Sequence, residues 1–191
     1  MSNNETRNET RSPQREVAIL GGGCFWCLDA VYREVRGVTD VAPGYCGGAS
    51  ERPSYEQVCG GDSGHAEVVR LQFDPEQVTF RELLEVFFVI HDPTQRDRQG
   101  NDVGTQYRSV IFPTTEAQQR EAREMIASLE AERVFPAPVV TAVEPVGVTF
   151  WPAEEVHFDF FTEHPEQPYC QYVVAPKLAQ FRAKCAQLRK G

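Results

Sequence analysis

A cysteine lies where a predicted strand passes into a predicted helix. Cys24 follows three consecutive glycines, residues 21–23, and precedes the aromatic pair Phe25 and Trp26. The first turn of a helix offers free backbone N–H groups and the positive end of the helix dipole, and both favour the thiolate, the nucleophilic form of cysteine. Cys24 is therefore the candidate nucleophile, and the aromatic pair is the candidate wall of an apolar pocket. Ordinary core packing is the alternative for each of the three.

Glu67 is the candidate proton donor. Residues 66–73 alternate as a strand, which places Glu67 on the same face as Val69, Leu71 and Phe73. Burial on that face raises the pKa of a carboxyl group and keeps it protonated near neutrality, which is the state that a general acid needs. The alternative is a solvent-exposed carboxylate at the frayed start of the strand.

Three further polar groups lie in predicted loops. Tyr55 belongs to a glycine-rich segment, whereas Asp102 and Tyr107 belong to a polar segment, residues 99–107. Long loops of this kind are often functional, and these side chains can offer hydrogen bonds to a small polar group. Taken singly, Asp102 and Tyr107 are more typical of a turn residue and a half-buried aromatic residue, and core packing is the alternative for Tyr55.

The pattern of apolar residues predicts strands and helices that alternate along the chain. Strands are predicted at 16–20, 38–45, 66–73, 106–112 and 139–150, and helices after Cys24, from Thr79, from Thr115, near 153–161 and from Pro176. We therefore expect an α+β fold over residues 15–191, a single-domain two-layer α/β sandwich with a mixed sheet and long loops around the site. Residues 1–14 are expected to form a disordered polar tail.

Composition excludes several classes of function. The 191 residues carry 19 Lys and Arg against 28 Asp and Glu, a formal net charge of −9, which disfavours nucleic acid and anionic membranes as partners. No apolar stretch reaches the roughly 18 residues of a membrane-spanning helix. The N-terminal segment lacks the apolar core of a signal peptide, so we expect a cytoplasmic protein. Its six cysteines are then expected to be reduced thiols that serve catalysis or bind a metal.

Several short motifs follow one another in a characteristic order. They are Gly23-Cys24-Phe25-Trp26, Gly44-Tyr45 with Gly47-Gly48, Pro53-Ser54-Tyr55 with Val58-Cys59, Gly64-His65-Ala66-Glu67-Val68, His91-Asp92-Pro93, Arg98-Gln99-Gly100-Asn101-Asp102, Gly104-Thr105-Gln106-Tyr107-Arg108-Ser109 and Ala153-Glu154-Glu155 with His157. This set resembles the type A peptide methionine sulfoxide reductases and covers nearly the whole chain from Glu16. The resemblance implies a ferredoxin-like core. We expect a monomer with no bound cofactor and no metal.

The resemblance also implies a reaction, the reduction of methionine S-sulfoxide, free or in peptides, by an enzyme specific for one epimer. Cys24 would attack the sulfoxide sulfur as a thiolate while Glu67 donates a proton to the departing oxygen, because an unprotonated sulfoxide oxygen is a poor leaving group. The other roles that it implies are hydrogen bonds to that oxygen from Tyr55 and Tyr107, ordering of the site by Asp102, and contact of the substrate methyl group with Phe25 and Trp26. The Cys24 sulfenic acid would then condense with a second thiol, and thioredoxin or another dithiol would reduce the disulfide.

The resemblance does not fix the second thiol. Cys27 stands where many members of the family carry glycine, one helical turn after the nucleophile, as in dithiol pairs of the thioredoxin type. Cys170 lies in a predicted loop that could swing toward the nucleophile, whereas Cys185 lies on the apolar face of the closing helix and is expected in the core. Cys170 is the first candidate for the resolving cysteine and Cys27 the second, with Cys46 and Cys59 as further alternatives.

Two other functions fit parts of the sequence. Cys24 and Cys27 could form the redox pair of a thioredoxin-like oxidoreductase, a function that leaves Glu67 and residues 99–107 unused. The same two cysteines could bind a metal together with one histidine, although the sequence has no second closely spaced cysteine pair. The histidines available for such a site are His65, His91, His157 and His164.

Overall fold

The computed structural model describes residues 14–191 and contains a six-stranded mixed sheet. The predicted tail, residues 1–14, lies outside the described residues apart from Gln14. In chain order the elements are β1 (Glu16–Gly21), α1 (Phe25–Arg33), β2 (Val38–Cys46), α2 (Tyr55–Cys59), β3 (Ala66–Phe73), α3 (Phe80–Ile90), β4 (Arg98–Gln99), β5 (Asp102–Val103), β6 (Val110–Phe112), α4 (Glu116–Ala131), β7 (Ala142–Val143), β8 (Trp151–Pro152), α5 (Phe160–Glu163) and α6 (Ala175–Lys184). Within residues 14–191, no helix combines the length and apolar character that crossing a membrane requires.

The strand order of the main sheet is β7-β6-β1-β3-β2-β8, and every neighbouring pair is antiparallel except β6 and β7. The four central strands, with α1 after β1 and α3 after β3, form the βαββαβ arrangement of a ferredoxin-like fold. The predicted mixed class and the ferredoxin-like core are therefore confirmed. Because β1 and β3 are antiparallel and Leu20 pairs with Val69, the end of β1 lies beside the start of β3. This pairing places Glu67 next to the turn that leads into α1.

The two faces of the sheet have different covers. Helices pack on one face, where Val69, Leu71 and Phe73 of β3 join the main hydrophobic core. Ala66 and Val68 point to the opposite face, as the alternation of the strand requires. There a smaller apolar cluster packs against partly buried residues that include Val148 and Phe150. Glu67 shares the helix-covered face, as predicted.

The prediction of a long strand over residues 139–150 is wrong. Only Ala142–Val143 pairs with β6, and the chain joins β2 again at Trp151–Pro152. Pro145 has no N–H to donate to a ladder, and Gly147 takes a φ of +92°, so the segment between these pairs leaves the sheet. Its apolar residues cover the second face of the sheet instead of extending it.

Two segments outside the predicted strands and helices contain short elements of their own. The segment 46–62 includes α2, which begins after Ser54 with a reciprocal capping box between Ser54 and Gln57. The segment 91–105 includes the β4–β5 hairpin. The strand predicted from residue 106 begins only at Val110, because Thr105–Tyr107 forms a 3₁₀ turn. The helices predicted from Thr79 and Thr115 are confirmed, and both threonines accept a hydrogen bond from the backbone three residues later.

The closing helix begins earlier than predicted. A π-helical turn, Cys170–Val174, leads directly into α6, so Pro176 lies inside the helical segment and does not start it. A proline cannot donate to the carbonyl four residues earlier, and a wider turn is a common way for a helix to accommodate such a gap. Cys170 therefore lies in a helical turn and is fully buried, whereas the prediction placed it in a mobile loop.

Gly23 and Gly147 offer a matched test of the turn before α1. Their φ values are +94° and +92°. A Cβ atom on Gly23 would lie 2.9 Å from side-chain atoms of Gln99, whereas one on Gly147 would meet nothing within 4 Å. Gly147→Ala is expected to cost only backbone strain, about 1–3 kcal/mol. Gly23→Ala is expected to lower the free energy of unfolding by at least ~1 kcal/mol more, because overpacking is added. Urea denaturation measures both, and equal losses would contradict a tight contact between this turn and Gln99.

Candidate active site

Cys24 occupies the junction between the sheet and α1. It is the N-cap residue of α1 with extended backbone angles, and its side chain makes no capping hydrogen bond. The preceding glycines leave no room for side chains, because a Cβ atom on Gly22 would lie 2.9 Å from Phe87 and 3.1 Å from His91. Cys24 is 7% exposed, so its sulfur lies just below the surface.

The Cys24 thiol does not have the lowered pKa that its position in the sequence predicts. Burial raises the pKa of this thiol well above its usual value, and the charges of Glu67 and Cys27 raise it further. The backbone N–H of Trp26 and the hydroxyl group of Tyr169 lower the pKa of the thiol, but by less than burial raises it. The prediction considered the helix N-terminus and omitted the loss of solvent. Without substrate, Cys24 is a neutral thiol at neutral pH.

Glu67 lies directly beside this thiol and is buried. One carboxyl oxygen, Oε2, accepts a hydrogen bond of 3.0 Å from the backbone N–H of Phe25, which is the first residue of α1. The other oxygen, Oε1, is buried and has no hydrogen-bond partner among the described residues. Burial raises the pKa of Glu67 to about 8, and the charge of Asp102 adds to this increase. The Phe25 N–H and the Cys24 side chain lower the pKa, but by less. The carboxyl group is therefore protonated at neutral pH, as predicted.

Asp102 is held by Tyr169, a residue that the sequence did not single out. The Tyr169 hydroxyl donates a hydrogen bond of 2.6 Å to Asp102 Oδ2, and it lies 4.0 Å from the Cys27 sulfur. Asp102 belongs to the β4–β5 hairpin, which Gln99 fixes through two hydrogen bonds with the backbone of Asp92. Asp102 and Tyr169 are 67 residues apart, so no local spacing could have predicted the pair.

The two predicted tyrosines reach the site from different elements. Tyr55 begins α2 and Tyr107 ends the 3₁₀ turn before β6. Burial raises the pKa of both hydroxyl groups above their usual value, and the nearby charges of Glu67 and Cys24 contribute to both shifts. Both hydroxyl groups are therefore neutral and keep a proton that a hydrogen bond can use.

An aromatic cluster lies beside Cys24. Phe25 is fully buried and stacks below Tyr55 with ring centroids 6.3 Å apart, so it has no surface of its own to offer. Trp26 is partly exposed and stacks on Phe160 at 3.8 Å. The apolar surface open to a ligand therefore belongs to Trp26, and Phe25 supports the cluster from below. No motif or spacing in the sequence predicted a role for Phe160 in this cluster.

None of the six cysteines forms a disulfide. Cys27 lies one turn after Cys24, and its N–H donates to the Cys24 carbonyl at 3.1 Å. Cys27 and Cys170 belong to one small buried cluster. Cys185 lies in the main core, which confirms its predicted structural place. Cys59 is exposed at the end of α2.

Two of the four histidines considered for a metal site, His65 and His91, have other partners. His65 hydrogen-bonds Gly48 and Ser50, and His91 hydrogen-bonds Phe87 and Ser109. Within residues 14–191, no group of three or more His, Cys, Asp or Glu side chains is placed to hold a metal ion.

Comparison with known proteins gives relatives over most of the chain. The peptide methionine sulfoxide reductase MsrA of Polynucleobacter asymbioticus is 54% identical over 176 residues, which cover 92% of each chain. The crystal structure of Mxr1 from Saccharomyces cerevisiae in reduced form is 33% identical, with a TM-score of 0.74, over 82% of this chain and 90% of that one. Mxr1 in complex with Trx2 shares the fold at 24% identity and a TM-score of 0.53, over 78% of this chain and 91% of that one.

A family model gives the same result. The model described as peptide methionine sulfoxide reductase matches residues 16–189, which is nearly every residue that the structure describes. The match includes the turn that carries Cys24, the strand that carries Glu67 and the helical segment that carries Tyr169. Because this model matches nearly the whole described chain and MsrA of Polynucleobacter asymbioticus is 54% identical to it, the chain belongs to the peptide methionine sulfoxide reductase family.

Proposed function

We propose that residues 15–191 reduce the S epimer of methionine sulfoxide, free or in peptides, through Cys24 and Glu67. The observation that supports this most directly is the arrangement of the Glu67 carboxyl group. One oxygen is anchored to the first N–H of α1, and the other is buried, unpartnered and next to a thiol. A sulfoxide needs a nucleophile at its sulfur and a proton at its oxygen, and this pair supplies both.

The proposed step transfers one oxygen atom and consumes no net proton. The Cys24 sulfur bonds to the substrate sulfur as Glu67 donates its proton to the substrate oxygen. The hydroxyl group then moves to the Cys24 sulfur as the bond between the two sulfur atoms breaks, which leaves a sulfenic acid and releases the thioether. The Glu67 carboxylate accepts the proton that the Cys24 thiol loses, because the two groups are neighbours. Thus the raised pKa of Cys24 is compatible with its role as the nucleophile.

The other site residues position the substrate in this proposal. The neutral hydroxyl groups of Tyr55 and Tyr107 donate hydrogen bonds to the sulfoxide oxygen. The Tyr169–Asp102 hydrogen bond fixes the hairpin side of the site, and Asp102 contributes to keeping Glu67 protonated. The substrate methyl group packs against Trp26, with the buried Phe25 ring below.

Cys27 is the resolving cysteine that the geometry favours. Cys24 caps α1, and the Cys27 N–H donates to the Cys24 carbonyl at 3.1 Å, so the two cysteines bracket the first helical turn with the spacing of Cys-X-X-Cys redox pairs. The Cys27 thiol condenses with the Cys24 sulfenic acid, forming the disulfide and water. This reverses the order predicted from the sequence, because Cys170 lies in a buried helical turn and not in the loop that the sequence predicted. A thioredoxin-type dithiol then reduces the disulfide, as the complex of the relative Mxr1 with Trx2 supports.

Substrate turnover by matched variants tests the chemistry. The full chain is mixed with the S or the R epimer in a single turnover without added reductant, and methionine is quantified. Wild type is expected to reduce only the S epimer. Glu67→Gln keeps an acceptor for the Phe25 N–H but has no proton to donate, so the single-turnover rate is expected to fall at least ~10-fold, since general acid catalysis contributes about 10²–10⁴-fold.

Glu56→Gln, which changes an exposed carboxylate on α2, is the control and is expected to react at the wild-type rate. Equal reduction of both epimers would contradict the proposed specificity. A wild-type rate for Glu67→Gln would remove Glu67 from the chemical step.

Mapping the first disulfide tests the resolving cysteine. The protein is treated with one equivalent of substrate, quenched with a thiol-alkylating reagent and analysed by peptide mass spectrometry. A Cys24–Cys27 disulfide is expected in wild type and in Cys170→Ser, whereas Cys27→Ser is expected to accumulate the sulfenic acid. A Cys24–Cys170 disulfide formed at the same rate in Cys27→Ser would overturn the assignment.

A further inference from the structure

The wall of the aromatic cluster contains a histidine that the proposed reaction does not use. His157 lies in the 3₁₀ turn Glu155–His157 and is 5% exposed. Its ring centroid lies 4.4 Å from that of Tyr55, 5.1 Å from that of Phe25 and 5.9 Å from that of Trp26. One imidazole therefore packs against all three aromatic residues beside the thiol.

Hydrogen bonds fix the tautomer of this imidazole. The Trp26 indole N–H donates to His157 Nδ1 at 3.1 Å. An indole nitrogen can only donate, so Nδ1 must carry no proton and the ring proton of the neutral imidazole must lie on Nε2. His157 Nε2 faces Glu154 Oε2 at 3.4 Å. A doubly protonated His157 would place two N–H groups against each other at Nδ1, and burial lowers the pKa of His157 and so disfavours that form.

The same contacts connect Trp26 with the start of α2. The second oxygen of Glu154, Oε1, accepts hydrogen bonds from the Tyr55 backbone N–H at 3.2 Å and from the Tyr45 hydroxyl at 3.4 Å. The segment itself is fixed to the sheet, because the Ala153 N–H donates to the Pro43 carbonyl at 2.9 Å. A chain of polar contacts thus runs from the indole through His157 and Glu154 to the residue that begins α2.

We infer that His157 is a positioning residue that sets the orientation of the Trp26 indole ring, and with it the affinity for the substrate methyl group. This inference rests on the proposed function, in which Trp26 contacts that methyl group. His157 does not touch the sulfoxide oxygen or the thiol in this account. Its loss should therefore weaken substrate binding more than it slows the chemical step.

Two amide substitutions separate the two nitrogen atoms of His157. Asn places its amide oxygen near the position of Nδ1 and can accept from Trp26, whereas Gln places its amide near Nε2 and leaves the indole N–H without a partner. His157→Gln is expected to raise KM for the S epimer about 5–10-fold, as expected for a lost hydrogen bond that leaves a donor unpaired. The single-turnover rate at saturating substrate is expected to stay within about 3-fold of wild type, and His157→Asn is expected to restore KM.

Three controls keep a structural role distinct. The first control is His164, a histidine whose ring packs against Phe160, the residue that stacks on Trp26. His164→Gln is expected to leave KM unchanged. In a Trp26→Phe background, which has no indole N–H, His157→Gln is expected to cause no further rise in KM. In a Trp151→Phe background Trp26 is the sole tryptophan, and its emission is expected to shift to longer wavelength with His157→Gln but not with His157→Asn.

The outcomes distinguish failure of the positioning role of His157 from failure of the proposed reductase function. An unchanged KM and unchanged Trp26 emission in a folded His157→Gln protein would overturn the positioning role while wild type still reduces the S epimer. Equal KM increases for the Asn and Gln variants, or an additive increase in the Trp26→Phe background, would also overturn it. Failure of wild type to reduce the S epimer would instead overturn the proposed function.

Discussion

The site depends on a carboxyl group that is held at the start of a helix yet kept out of water. The N-terminus of α1 favours negative charge, and the Phe25 N–H donates to Glu67. Burial opposes ionisation more strongly, and the nearby Asp102 adds to that opposition. The result is a neutral acid with one oxygen fixed and the other free. The same loss of solvent keeps Cys24 protonated, so the thiol and the acid form a neutral pair before substrate arrives.

The fold produces this arrangement through one strand pairing. Because β1 and β3 are antiparallel neighbours, the turn after β1 and the beginning of β3 meet at the same edge of the sheet. The turn carries Cys24, the proposed nucleophile, and β3 carries Glu67, the proposed acid. Loops from the other side of that edge add Asp102 and Tyr107, and the segment before α6 adds Tyr169. These residues of the site therefore come from four separate stretches of chain around one strand end.

Local sequence patterns predicted the parts of this site that depend on a single element. Strand alternation placed Glu67 on the covered face, and the glycine-rich turn identified Cys24. The patterns did not reveal Tyr169 or the contact of His157 with Trp26, because each pairs with a residue more than 60 positions away in sequence. The prediction of a lowered pKa for Cys24 was also wrong because of a non-local effect, the burial of the thiol. A helix N-terminus is visible in a sequence, whereas the degree of burial depends on every element packed around it.

Two errors in the fold also arose from non-local effects. Residues 139–150 are apolar enough for a strand, but Pro145 and Gly147 turn the chain away from the sheet, and its apolar side chains cover the second face. The proline at 176 is typical of the first turn of a helix, yet a π-helical turn carries the helix past it toward Cys170. Cys170 therefore lies in a helical turn, whereas Cys27 lies one turn after Cys24, and this placement is why we propose Cys27 as the resolving thiol.

The protonation state of Glu67 is the central claim, and infrared difference spectroscopy measures it directly. The pH-dependent spectrum of wild type minus that of Glu67→Gln isolates the carbonyl band of this one carboxylic acid. The band is expected to be present at pH 6 and to disappear with a midpoint at about pH 8. A midpoint at about pH 4.3, the ordinary pKa of glutamic acid, would show an ionised Glu67 at neutral pH and contradict its role as proton donor.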